Sequence, residues 1–221
     1  VSEGIVMAAD SSRITTKPSK DNLGNTIHEI FVSSYNSQKI FLFDGFNIGI
    51  SSFGIALPNG KLLPFTLEQF KNEYLHKGDD INIIAQKLYD FINKEVSKYS
   101  LAFHLAGYSN NEPFVYIIDP SRKKLDIVNH NDNSVIYGMA WGGQPDTMSR
   151  LISNRNDIQY DIMSIVDAIE FVKFCLETTI KLDKFLYKPV SCGGPIDILL
   201  ITPKEIKWVQ HKLYCPAHYM I

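Results

Sequence analysis

Strand-like segments come in three groups along this 221-residue chain, separated twice by helical stripes, and that order points to an α+β architecture. An apolar run opens it at residues 4–10, and short β-branched or aromatic runs follow at 27–33, 39–43 and 46–52, with Asp44-Gly45 as a turn. Residues 15–25, rich in Thr, Lys, Ser, Asp and Asn, read as a loop. Thr66-Leu67-Glu68-Gln69 has the form of a capping box and predicts a helix from there to Leu75. Asp79 or Asp80 can cap the next helix, in which Ile81, Ile84, Ala85, Leu88, Phe91 and Ile92 share one face. Strand patterns return at 100–107, 114–118, 124–128 and 134–140. A short helix over 145–152 and a long one over 162–181 come next, the latter with Ile165, Ile169, Val172, Leu176 and Ile180 as its stripe, before final strands at 196–201 and 204–210. Two sheets packed face to face, with helix pairs on both outer sides, would bury every one of these stripes. No repeat, linker or low-complexity tract interrupts the pattern, so residues 1–221 read as one domain.

Composition narrows the function classes. A net charge of −2 with interspersed lysines and acids gives no electrostatic case for nucleic acid or an anionic membrane. The basic cluster Arg122-Lys123-Lys124 follows Asp119-Pro120-Ser121 and reads as a solvated hairpin tip. No apolar run approaches the roughly 20 residues that span a bilayer, and the first ten residues lack a signal-peptide pattern, so a cytoplasmic location is expected. Three cysteines, Cys175, Cys192 and Cys215, are too few and too unevenly spaced for a disulfide framework or a zinc site, and reduced thiols are expected.

Two blocks carry the chemistry. Gly4-Ile5-Val6-Met7-Ala8-Ala9-Asp10-Ser11-Ser12-Arg13 delivers an aspartate from an apolar strand into a polar turn, and Ser191-Cys192-Gly193-Gly194-Pro195-Ile196-Asp197 leads into the apolar run Ile198-Leu199-Leu200-Ile201 near the other end. In this order the two resemble blocks of proteasome-type N-terminal nucleophile hydrolases. The resemblance implies a four-layer αββα sandwich and a threonine nucleophile at a free N-terminus roughly seven residues ahead of Val1. It also implies cleavage of peptide or other amide bonds without a cofactor or metal, in a homo-oligomer, either a ring or a dimer. Asp10 stands where the family's aspartate orients the nucleophile, and Lys39, in Asn36-Ser37-Gln38-Lys39-Ile40, where its lysine lowers the threonine's proton affinity. An aspartate followed by Ser-Ser is also a common turn former, and a lysine opening a strand is commonly only solvated.

Gly54 is the candidate for the oxyanion hole, at the cost of a one-residue shift from a gapless count, and a strand bulge accounts for it equally well. Other positions depart from the family pattern. Ala140-Trp141-Gly142-Gly143-Gln144 keeps turn glycines but lacks the family's serine hydroxyl, and Pro189 stands where an aspartate is usual. Cys192 falls in place of a serine, for which Ser191 substitutes after a small shift; a Cys192 thiol nucleophile supported by His104, His130 or His211 is a further possibility, against simple burial of the thiol. The aromatic tail from Lys212 onward suits either a subunit contact or packing on its own domain. These departures keep open a second function, a non-catalytic structural or interaction subunit.

Overall fold

The apolar run near the start forms strand β1 (Ile5–Ala9), and its partner lies near the far end of the sequence. β1 pairs antiparallel with β11 (Asp197–Ile201), Ile5 opposite Ile201 and Ala9 opposite Asp197, and β11 pairs in turn with β12 (Ile206–Gln210). The fold is given by a computed structural model that describes residues 1–54, 60–96, 100–132, 134–143, 145–152, 158–186 and 190–212. A second sheet is an antiparallel meander of β4 (Ile40–Phe43), β5 (Ile48–Gly54), β6 (Leu101–Ser109), β7 (Glu112–Asp119) and β8 (Lys124–Ile127), in that spatial order.

The two faces of the meander are both apolar, and each is covered by different elements. Helices α1 (Leu63–Tyr74) and α2 (Ile81–Val96) cover one face, where Phe43, Ile50, Leu67, Phe70, Leu88 and Phe103 are buried together. The opposite face meets β1 and β11 through Met7, Ile40, Ala106, Leu199 and Ile201. Helix α4 (Ile165–Asp183) packs against β1, with α3 (Pro145–Leu151) beside it and Met148, Ile152 and Cys175 between them. The molecule is thus mixed α/β with four helices and antiparallel sheets among its described residues, and none of those helices is long and apolar enough to cross a membrane. Phe70 has no exposed surface and lies 5.3 Å from the Phe91 ring and 6.0 Å from that of Tyr74. Phe70→Ala is expected to cost about 3–5 kcal/mol of unfolding free energy, read as a lowered urea midpoint; an unchanged midpoint would show that the helices can close over the gap.

Several elements differ from the sequence expectation, each for a local reason. Residues expected as a loop form β2 (Arg13–Lys20), which pairs with β3 (Thr26–Ser34) in a two-stranded hairpin. Both strands have an outer edge, where half the amides face away from the partner, so Pro18 is tolerated. Asp21 builds the turn, its Oδ1 accepting from Leu23 N–H at 2.9 Å and Asn25 N–H at 2.8 Å. Helix α1 begins before the expected capping box: Leu62 is its N-cap without a side-chain bond, and Pro64 presets the first turn. Thr66 is consequently buried inside the helix. For α2 the capping residue is Asp80, whose Oδ1 accepts from Ile83 N–H at 2.9 Å, while Asp79 takes Lys87 Nζ at 2.6 Å. The expected strand at 134–140 shortens to β10 (Ser134–Val135), paired with β9 (His130–Asn131). On α4 the fully buried line is Ala168, Cys175, Thr179 and Asp183; the expected isoleucine and leucine stripe is half-buried beside it.

Candidate active site

β1 ends at a turn that gathers three distant parts of the chain around one carboxylate. Asp10 Oδ1 accepts from Lys39 Nζ at 2.6 Å, and Oδ2 accepts from Ser12 N–H at 3.0 Å and Gly193 N–H at 2.9 Å. The Ser12 bond is the usual local turn of an aspartate, and the other two tie β1 to the residue before β4 and to the Cys-Gly-Gly loop. Asp10 is almost wholly buried, whereas a quarter of the Lys39 side chain is exposed, so the ammonium reaches solvent beside its carboxylate. Ser11 reinforces the junction: its N–H donates to Gly193 C=O at 2.9 Å and its C=O accepts from Ser37 N–H at 2.8 Å. Gly194 has φ +76°, and a Cβ there would lie 2.1 Å from the Tyr35 carbonyl oxygen, so the loop admits only glycine at this approach.

The pair borders a cavity of about 1760 Å³ lined by β1, by the residues just before β4, by the end of β5 and by residues 135–143. Among the described residues β1 is the edge strand of its sheet, and that edge faces the same space. At its entry the Val1 amine donates to Gly4 C=O at 3.2 Å and Gly4 N–H to Val1 C=O at 3.4 Å, a reciprocal pair that closes a tight turn over residues 1–4.

Of the other sequence candidates, Gly54, His104, Ser191 and Cys192 line the same cavity, whereas His130 and His211 do not. Gly54 ends β5, two residues beyond Ser52, whose N–H bonds the Lys39 carbonyl at 2.9 Å. Its φ is +102° and a Cβ would lie 2.1 Å from Ser100 O, which by itself requires glycine here. Gly142 presses on the Phe53 ring, where a Cβ would come within 2.5 Å. Ser191 and Cys192 are held by a carboxylate that the sequence did not disclose: Asp183 Oδ2 accepts from Ser191 N–H at 2.6 Å, Ser191 Oγ at 3.2 Å and Cys192 N–H at 3.0 Å. An aspartate in the last turn of a helix opposes the helix dipole, and that misfit was the available signal. The Cys192 thiol is pushed up to about 12, by burial first and then by the Asp10 charge. Such a thiol is neutral near pH 7, the opposite of what attack by sulfur requires. The histidines named beside it bond elsewhere: His104 Nδ1 to Ser51 Oγ at 3.4 Å, His130 Nε2 to Glu112 at 3.2 Å and His211 Nδ1 to Asp197 at 3.0 Å. Pro189, Gln144, Cys215 and the tail from residue 213 lie outside the described residues.

Compared with protein-family models and with curated proteins, the chain matches none.

Below the Asp10 turn lies a second charge pair, also unanticipated. Lys212 Nζ donates to Asp197 Oδ2 and, at 3.0 Å, to Ser11 Oγ, and Lys212 N–H donates to Asp197 Oδ1 at 2.8 Å. Both side chains are almost entirely buried. His104 is buried as well, which lowers its imidazole from the ordinary 6.5 to about 4. Because the unfolded chain takes up this proton first, stability is full above pH 6.5 and declines as pH falls towards 4, by about 3 kcal/mol from this group. Urea unfolding between pH 7 and 4 is expected to show that decline and to lose part of it in His104→Leu; equal slopes in the two proteins would show that His104 titrates normally.

Proposed function

We propose that this chain is a proteasome-like N-terminal nucleophile hydrolase that cleaves peptide or small amide bonds, its nucleophile a threonine ahead of Val1. The observation that carries it is the Asp10–Lys39 ion pair set beside a large cavity and next to a strand edge that no other strand covers among the described residues. Support comes also from the order in which the elements pack. Helices α1 and α2, the meander, the β1–β11–β12 sheet and α4 follow one another, as an αββα sandwich requires.

The Val1–Gly4 pair turns any segment entering at Val1 antiparallel to β1. Counting back along that pairing, roughly the sixth or seventh preceding residue falls opposite Asp10 and Ser11, which agrees with the spacing the family resemblance implies. A threonine hydroxyl there has the Lys39 ammonium to lower its proton affinity and its own amine to take the proton. Attack forms an ester with the substrate's acyl group and releases the amine, which carries the proton away; water then hydrolyses the ester.

The test is the N-terminal sequence of the mature natural protein together with its reaction with a peptide epoxyketone, which is captured by a hydroxyl and an amine on one residue. Labelling of a threonine about seven residues before Val1 is expected. A mature chain whose first residue has no nucleophilic side chain overturns the hydrolase. The second reading, a structural or interaction subunit of such an assembly, is favoured by apolar side chains left in water: Ile30 and Phe31 on the β2–β3 hairpin, and Val166 and Phe174 on α4. The hydrolase reading carries assembly with copies of itself, as a ring or a dimer.

A further inference from the structure

The cavity floor holds a polar group that the Asp10–Lys39 chemistry does not use. Ser51 and Phe53 on β5, His104 and Ala106 on β6, and Val115 and Ile117 on β7 all line the cavity. They alternate along three neighbouring strands, so their side chains share the face of the meander that looks into it. His104 keeps 9% of its surface, touches Ser51 Oγ through Nδ1 at 3.4 Å and lies against the Phe53 ring at 5.0 Å, while its Nε2 is buried with no hydrogen-bond partner among the described residues. Ser12 and Ser37, near Asp10 and Lys39 in sequence, line the same cavity, and their Oγ atoms are likewise buried without partners among the described residues. Unpaired buried polar atoms are uncommon because each forfeits its bonds to water. Three of them around one cavity describe a surface shaped for a polar ligand.

The geometry points to a specificity subsite in which His104 Nε2, backed by Ser51, binds an uncharged carboxamide or hydroxyl side chain next to the substrate's scissile bond. This rests on the hydrolase reading. Ser51 lies opposite Ile40, the residue after Lys39, and His104 lies opposite Ser51. The histidine is therefore two strands from the lysine, roughly 10 Å across the sheet, and both residues line the one cavity. Burial keeps the ring neutral near pH 7, so Nε2 offers one N–H or one lone pair, according to which way the Ser51 contact runs. A carboxamide or a hydroxyl can both donate and accept and so satisfies either tautomer. An aliphatic side chain leaves Nε2 unpaired, and a carboxylate or ammonium must shed its water against Phe53 and Ile117.

The experiment has two arms. In the first, the full natural chain is given acyl-dipeptide aminocoumarins that differ in the residue before the cleaved bond, Gln, Asn, Thr, Leu, Glu or Lys. Wild type is expected to favour Gln, Asn or Thr over Leu by about tenfold in kcat/KM; His104→Leu erases the preference and His104→Gln restores part of it. A preference unchanged in His104→Leu overturns the subsite. In the second arm, N-acetylglutamine amide and N-acetylleucine amide are titrated into wild-type protein with 15N-labelled histidine. A saturable shift of the His104 Nε2 resonance with the glutamine amide alone is expected, and no shift overturns the subsite even if amides are cleaved. A protein that cleaves none of the substrates yet shows this shift dismisses the hydrolase while keeping the binding site.

Discussion

Lys39→Ala is expected to remove amide hydrolysis, lowering kcat by about 10²–10⁴-fold, while leaving the urea midpoint within experimental scatter. The two halves of this outcome have separate origins. Lys39 supplies the charge that faces the cavity, and its exposed portion means that the fold does not depend on burying it. Asp10 keeps its two backbone donors, Ser12 N–H and Gly193 N–H, when the lysine is gone, so the carboxylate is not left bare. Asp10→Ala differs: it removes the acceptor for both amides, and a loss of stability is expected along with the loss of turnover. A Lys39→Ala protein that folds and still hydrolyses at the wild-type rate takes the lysine out of the chemistry and leaves the structural reading stronger.

Lys212→Met is expected to destabilise the protein by about 3–5 kcal/mol, a large part of a typical domain's stability. Asp197 would remain buried and lose its principal partner, keeping Lys212 N–H and His211 Nδ1 among the described residues. The double variant Asp197→Leu/Lys212→Met removes both charges and is expected to recover much of the loss, because an apolar pair of similar volume has no ion to desolvate. Equilibrium unfolding of the three proteins decides it. A single variant within about 1 kcal/mol of wild type would show that the pair behaves as an exposed one.

The strands of the meander and the face of α2 were legible because their information is local: Asp44-Gly45 marks a turn, and Ile81, Ile84, Ala85 and Leu88 repeat at helical spacing. In the β2–β3 hairpin only β3 was legible, from its run at 27–33; β2 was not, since it is polar and mostly exposed and is fixed by pairing with β3, not by a buried face. Thr66 misled for a related reason, because Pro64 starts α1 first. At the site, Asp10 and Lys39 were singled out by the resemblance of their flanking blocks, and the structure brings the two side chains together. Asp183 and Lys212 were not, and His104 was named only as a partner for Cys192, as each takes its role from tertiary neighbours; Lys212 and Ser11, for example, are 201 positions apart. No window along the sequence contains that information.

The bond between Asp10 and Gly193 joins positions 183 residues apart, and this sets a rule for biosynthesis. A chain growing from the ribosome makes β1 early but cannot complete the carboxylate's surroundings until the loop ahead of β11 has emerged and docked, a long closure of the kind that folds late. The lysine, the aspartate and the glycine loop therefore come together only after the chain through Gly193 has been made and docked, and the proposed catalytic site forms no earlier than that closure.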